Sequence, residues 1–251
     1  MSTPACCVLV TGASRGAGAA IAKAVAANGS DVVLHYSSAR ERAEAVAEEI
    51  GARAIGLVQA DFSEPGAAAS AWAEAETLTS GRLDALVLNH GVFEAGAITD
   101  DDELWRANWR RTLQIDLMSA ADLAREAARA WVDAPRSGAI IAIASRAAQR
   151  GDDADHPAYA AAKAGLTAMM KTMARAYSGR GLLAYTIAPG WIDTEMAPQS
   201  EADRARAHAE IPLGRMAQPD EIGALAAFLL SGGCASATGS VFDVNGASHV
   251  R

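Results

Sequence analysis

Seven short runs of aliphatic and β-branched residues recur along the chain, each parted from the next by a longer stretch rich in Ala, Glu and Arg. The runs are CCVLVTG (6–12), DVVLHYS (31–37), AIGLVQAD (54–61), LDALVLNHG (83–91), GAIIAIAS (138–145), LLAYTIAPG (182–190) and SVFDVNG (240–246). Each reads as a buried strand, because the apolar residues are nearly continuous rather than alternating. The intervening stretches, such as Ser38–Gly51 and Glu64–Ser80, carry Ile, Leu and Val at helical spacing. Strand and helix therefore alternate, which predicts an α/β, doubly wound fold: a seven-stranded parallel sheet between two helical layers. Ligands are expected at the carboxyl ends of its strands.

With 251 residues, 51% of them hydrophobic and 21% charged, the chain can bury a sizeable core, and one domain over 1–251 is expected. The net charge of −8 and the lack of a basic block argue against nucleic acid or an anionic membrane as partner and favour a small-molecule enzyme. Three cysteines, Cys6 and Cys7 adjacent, have neither metal-ligand spacing nor an even disulfide framework, so a reducing cytoplasm is expected and no metal site. The N-terminus lacks a cationic leader, and no apolar stretch approaches the roughly 20 residues of a membrane span.

The first strand ends in Thr11-Gly12-Ala13-Ser14-Arg15-Gly16-Ala17-Gly18 and runs straight into the helical segment Ala19–Asn28. Glycines at 12, 16 and 18 permit a tight turn and a close approach of backbone N–H groups and the helix N-terminus to a pyrophosphate. A glycine turn alone would be merely a close strand-to-helix connection; its place after strand one makes it a dinucleotide site. About 20 residues past such glycines an acid is expected to read the ribose of NAD, yet strand two ends His35-Tyr36-Ser37-Ser38-Ala39-Arg40. Arg15, with Ser37, Ser38 and Arg40, would instead hold a 2′-phosphate, so NADP(H) is the expected cofactor. The competing view, a solvated helix face for Arg40 and Arg42, fits Arg42 better.

A second constellation starts with Ser145 at the end of strand five and continues in Tyr159-Ala160-Ala161-Ala162-Lys163. On a helix the i,i+4 spacing puts Tyr159 and Lys163 on one face, where the ammonium can lower the phenol from its usual pKa of about 10. Tyr159 then serves as acid or base, and Ser145 holds the reacting carbonyl oxygen. By itself such a pair is usually ordinary packing; combined with the dinucleotide turn it reads as a hydride-transfer site.

Taken together these residues resemble the short-chain dehydrogenase/reductases, in particular the 3-oxoacyl-carrier-protein-reductase-like branch, over nearly the whole chain. TGASRGAG is similar to the family's TGxxxGxG turn, Ser145 with Tyr159 and Lys163 to its catalytic serine and YxxxK, and Pro189-Gly190 to its PG turn. The resemblance implies a Rossmann fold and adenine contacts from Asp61 and Phe62. It also implies cofactor contacts from Asn89, Gly91, Ile192 and Thr194, and ribose binding by Lys163. A substrate lid at about 191–214 is implied, as is a homotetramer or homodimer contacting through an aromatic helix and the last strand.

Two departures stand out. The segment after strand four, NNAG in the family, reads Leu88-Asn89-His90-Gly91, and His90 is expected to be a neutral, satisfied histidine near the cofactor. Where the family has a tetrad asparagine, this chain has Asp116, expected to stand in the water relay to Lys163. Trp105 and Trp109 are read as packing or interface anchors, Asp100–Glu103 as a helix start, and Arg146 and Arg150 as surface arginines flanking the pocket. The expected activity is reduction or oxidation of a carbonyl/alcohol pair, a 3-oxoacyl thioester or another small ketone. The alternative is a nucleotide-binding sensor or structural homologue that has lost turnover through Asp116 and the altered NNAG segment; an epimerase of the extended branch is disfavoured because no additional substrate domain follows the sheet.

Overall fold

In the computed structural model, which describes residues 6–250, the apolar runs form seven parallel strands. They are β1 (Cys7–Val10), β2 (Asp31–Tyr36), β3 (Ala54–Gln59), β4 (Ala85–Leu88), β5 (Gly138–Ile143), β6 (Leu182–Pro189) and β7 (Val241–Val244). The reading of residues 1–5 as lacking a leader lies outside the described residues. The strand order is β3-β2-β1-β4-β5-β6-β7, so the winding reverses between β1 and β4. There the loops leave in opposite directions and open a crevice at the carboxyl ends.

Successive residues of β1 point to opposite faces, and both faces are covered. Cys7 and Leu9 pack with Trp72 of α3 (Ala67–Leu78), Trp131 of α5 (Ser119–Trp131) and Met170 of α7 (Pro157–Tyr177). Val8 and Val10 pack with Ile21 of α1 (Gly16–Ala27), Val46 of α2 (Arg40–Ile50) and Ile222 of α9 (Pro219–Leu230). Continuous apolar runs are thus required in the central strands. The expectation of burial needs correction at the two edges: β3 and β7 are largely half-buried, since each has one neighbouring strand in the sheet.

Helix ends follow local chemistry. The Asp101 side chain accepts from the backbone N–H groups of Glu103 and Leu104, starting α4 (Asp102–Leu113). Gln218 and Glu221 cap α9 reciprocally, with Pro219 in its first turn. Helix α1 has no side-chain cap, which leaves its first N–H groups facing the crevice. Between α4 and α5 the chain takes one wide, π-type turn over Gln114–Met118, of the kind that re-aims side chains at functional sites. The short α6 (Ala147–Arg150) follows β5, and α8 (Glu201–Ala209) stands between β6 and α9. Ala197, Ala207, Ile211 and Met216 form a small apolar cluster with Trp191, separate from the two sheet faces. Among the described residues no helix is long and apolar enough to cross a membrane.

Candidate active site

A cavity of about 1130 Å³ runs along the carboxyl ends of the strands, from Ser37 and Ser38 at one extreme to Tyr159 and Trp191 at the other. Its floor is the turn after β1. Gly12 has φ +64°, and a Cβ placed on Gly18 would lie 2.1 Å from the Gly12 carbonyl oxygen, so neither position accepts a side chain without movement of the backbone. The Asn89 amide donates to the carbonyls of Thr11 (2.9 Å) and Gly12 (3.1 Å), which ties β4 to the turn. Ser14, Gly16 and the uncapped start of α1 also line the cavity. A bare glycine surface at a helix N-terminus fits a pyrophosphate in shape and charge.

Behind the turn lies an unforeseen histidine. The Gly12 N–H donates to His35 Nδ1 (3.1 Å), which leaves Nε2–H to donate to the Ala60 carbonyl (3.1 Å). His35 stacks on Phe62 (4.2 Å between centroids), and Phe62 meets His90 edge-on (4.5 Å). Burial pushes His35 down to about 4. His90 contacts Thr11 Oγ1 at 2.7 Å and Ser119 Oγ at 2.8 Å, and burial holds its pKa well below the usual histidine value. The one available signal for His35 was a polar residue inside an apolar strand.

At the Ser37–Ser38 end of the cavity the arginines sort differently from the sequence expectation. Arg40 turns along α2 to Glu44 (2.8 Å) and is not part of the cavity wall. Arg42, read from sequence as solvated, is exposed and also outside the cavity wall, and it pairs with Glu195 (2.7 Å), whose carboxylate Arg15 meets at 2.7 Å. Asp61 lines the cavity, its carboxylate accepting from the backbone and hydroxyl of Ser63, bonds that lower its pKa.

Around the catalytic candidates, Tyr159 and Lys163 share a face of α7, with Lys163 Nζ 5.6 Å from the tyrosine ring centroid. Lys163 also donates to the Ile143 carbonyl (3.4 Å) and faces Asp116 Oδ2 at 3.4 Å, both side chains almost wholly buried. Val92 N–H donates to Asp116 Oδ1 (2.8 Å). A Cβ on Gly91 would sit 3.0 Å from Lys163 Nζ and 3.2 Å from Asp116 Oδ2, so glycine leaves room for this pair. Burial raises the Asp116 pKa against the pull of the ammonium. Burial alone would lower Lys163, but Asp116 and Tyr159 hold it above its ordinary value. Tyr159 is raised by burial and by Asp116, while Lys163 and a hydrogen bond with Ser145 oppose the shift.

The end of the cavity near Tyr159 and Trp191 has aromatic walls. Phe93 stacks on His156 (3.7 Å) and meets Tyr159 (4.9 Å) and Trp191 (5.9 Å) edge-on. Arg146, expected on the surface, is 5% exposed and pairs with Glu210 at the end of α8 (3.1 Å), where the more exposed Arg150 also reaches (3.6 Å). Pro189, Gly190, Ile192 and Thr194 border the cavity, and a Cβ on Gly16 would be 3.3 Å from Thr194 Cγ2. Every sequence-selected site residue therefore lines this crevice except Arg40, which turns along α2, and Asp116, which is buried behind Lys163.

The chain is similar to known proteins over nearly its whole length. A family model described as enoyl-(acyl carrier protein) reductase matches residues 12–249. The 3-oxoacyl-(acyl-carrier-protein) reductase of Escherichia coli (strain K12) is 36% identical over 246 residues, covering 96% of each chain. The cis-4-hydroxycyclohexanecarboxylate dehydrogenase of Sinomonas cyclohexanicum is 35% identical over 242 residues, covering 95% of this chain and 94% of its own. Among solved structures, a short chain dehydrogenase from Burkholderia cenocepacia J2315 in complex with NADP superposes with a TM-score of 0.89 at 33% identity, covering 97% of both chains. The chain belongs to the short-chain dehydrogenase/reductase family.

Proposed function

We propose that the protein is an NADP(H)-dependent oxidoreductase that reduces a small ketone or 3-oxoacyl thioester, or oxidises the matching alcohol. The observation that carries this reading is the convergence of Ser145, Tyr159 and Lys163 at one end of a cavity whose floor is a glycine turn. Gly12, Ser14, Gly16 and Gly18 would hold the pyrophosphate, Arg15 with Ser37 and Ser38 the 2′-phosphate, and Asp61 and Phe62 the adenine side. Asn89, Gly91, Pro189, Gly190, Ile192 and Thr194 would border the nicotinamide, and Lys163 its ribose.

When bound, the reduced nicotinamide supplies hydride to the carbonyl carbon. Ser145 donates a hydrogen bond to the carbonyl oxygen and holds it within reach of the Tyr159 hydroxyl. With its pKa raised, Tyr159 is protonated at neutral pH and gives its proton to that oxygen as the alkoxide forms. The Lys163 ammonium stabilises the resulting phenolate, and Asp116 anchors the ammonium. Aromatic walls from Phe93 and Trp191 favour an apolar substrate body.

Residues 191–214 are the proposed lid, within a single domain over 1–251. A cytoplasmic homotetramer or homodimer is the proposed assembly. The buried Lys163–Asp116 pair gives specific support to a second reading, a cofactor-binding sensor without turnover. Following NADPH absorbance across ketones, aldehydes and 3-oxoacyl thioesters separates the two. We expect turnover on at least one carbonyl, a loss of about hundredfold or more in Tyr159→Phe, and little change in its NADPH affinity. NADPH binding with no oxidation across the panel establishes the sensor; a Tyr159→Phe protein retaining most of its rate removes the proton-donor assignment.

A further inference from the structure

Arg15 and Arg42 stand on different elements, the glycine turn and α2, yet both grip the carboxylate of Glu195 in the segment after β6. The grip uses both oxygens: Arg42 Nη1 donates to Oε1 (2.7 Å) and Oε2 (2.9 Å), and Arg15 Nη1 donates to Oε2 (2.7 Å). The neighbouring residue Thr194 lies over Gly16 in the same turn, so this carboxylate sits beside the pyrophosphate cradle on the side where Ser37 and Ser38 line the cavity. The two guanidinium groups that converge on this carboxylate, each donating through one Nη1, offer the positive charge and N–H donors that a ribose 2′-phosphate would seek.

We propose that Glu195 is an internal stand-in for the 2′-phosphate: it occupies the Arg15–Arg42 anion site when cofactor is absent and must be displaced by NADP(H) but not by NAD(H). The inference rests on the NADP(H) reading above and adds a residue that sets phosphate affinity through competition. Displacement is feasible because the three side chains are 51–61% exposed, where ion pairs with a carboxylate contribute little. A phosphate monoester carries a charge of about −1.5 to −2 and three acceptor oxygens, against one charge and two oxygens for the glutamate. Since Glu195 belongs to the proposed lid, phosphate binding also unseats one anchor of that segment, and a cofactor lacking the phosphate leaves the anchor in place.

The test is calorimetric titration of wild type and Glu195→Gln with adenosine 2′,5′-bisphosphate, AMP, NADPH and NADH at one ionic strength. Glutamine keeps the size of the side chain and removes the competing charge. Glu195→Gln is expected to tighten the bisphosphate and NADPH about fivefold to tenfold while AMP and NADH change less than about twofold. Adding Arg42→Gln to that variant should erase the gain. Unchanged bisphosphate affinity, or an equal shift for all four ligands, overturns the role of Glu195 while leaving the NADP(H) reading intact. A wild type that binds AMP as tightly as the bisphosphate overturns both.

Discussion

At Asp116 and Lys163 two opposite charges lie 3.4 Å apart with almost no access to water. A carboxylate there works against the purpose usually assigned to the lysine: it strengthens the ammonium form but cancels part of the positive field at Tyr159. Asp116→Asn keeps an oxygen to accept the Val92 N–H, so the loop is retained while the charge is removed. The Tyr159 pKa should then fall, because one of the causes raising it is gone. In pH–rate profiles at fixed salt, the rise of alcohol oxidation is expected to move to lower pH and the rate near neutrality to increase. Coincident profiles would show that Asp116 does not govern the site electrostatically.

The turn between β1 and α1 is the element on which the cofactor reading depends most directly. Helix α1 starts at Gly16 without a side-chain cap, and its second glycine presses against the Gly12 carbonyl. In Gly18→Ala the new methyl would meet backbone, which cannot rotate away, so the turn itself must open. We expect a stability loss of about 2 kcal/mol or more and a marked weakening of NADPH binding. Urea unfolding followed alongside cofactor titration checks both, and a variant with wild-type affinity would show that the close approach at Gly18 is dispensable. The wide turn over Gln114–Met118 is a second element-scale device. It precedes Ser119, whose hydroxyl bonds the Ile115 carbonyl (2.6 Å) and contacts His90, linking the Asp116 segment to the glycine turn through Thr11.

For the whole molecule, the two histidines behind the turn couple folding to pH. His35 has a folded pKa of about 4, whereas an exposed histidine in the unfolded chain titrates near 6.5. Between those values the unfolded state binds the extra proton, so stability falls as pH falls from about 6.5 to about 4. His35 alone should remove about 1.4 kcal/mol per pH unit in that window, about 3 kcal/mol in all, and His90 adds loss in the same direction. Measured as urea unfolding free energy against pH, His35→Asn should reduce this acid slope by about one proton. Asparagine retains an acceptor for the Gly12 N–H but loses the donation to Ala60, so some stability at neutral pH is also lost. An unchanged slope would place the acid sensitivity elsewhere in the protein.

The strand runs, their parallel order of covering helices and the glycine turn were legible from residue pattern, because near-continuous apolar runs and unsubstituted backbone are local requirements. Ser145, Tyr159 and Lys163 were legible too, through an i,i+4 interval and a strand end. What the sequence left open depended on distance across the fold. Nothing in the order of residues says that Arg42 rather than Arg40 joins Arg15 at Glu195: α2 turns Arg40 toward Glu44 and sends Arg42 to a carboxylate 153 positions away. Nor does it say that Arg146 is buried against Glu210, or that His35 holds the Gly12 N–H. Sequence determines which side chains a strand or helix can present at each face, since that follows from periods of 2 and 3.6 residues. Only tertiary packing decides which presented charges meet and how much water is left between them, and those two quantities set the ion pairs and the pKa of every group at this site.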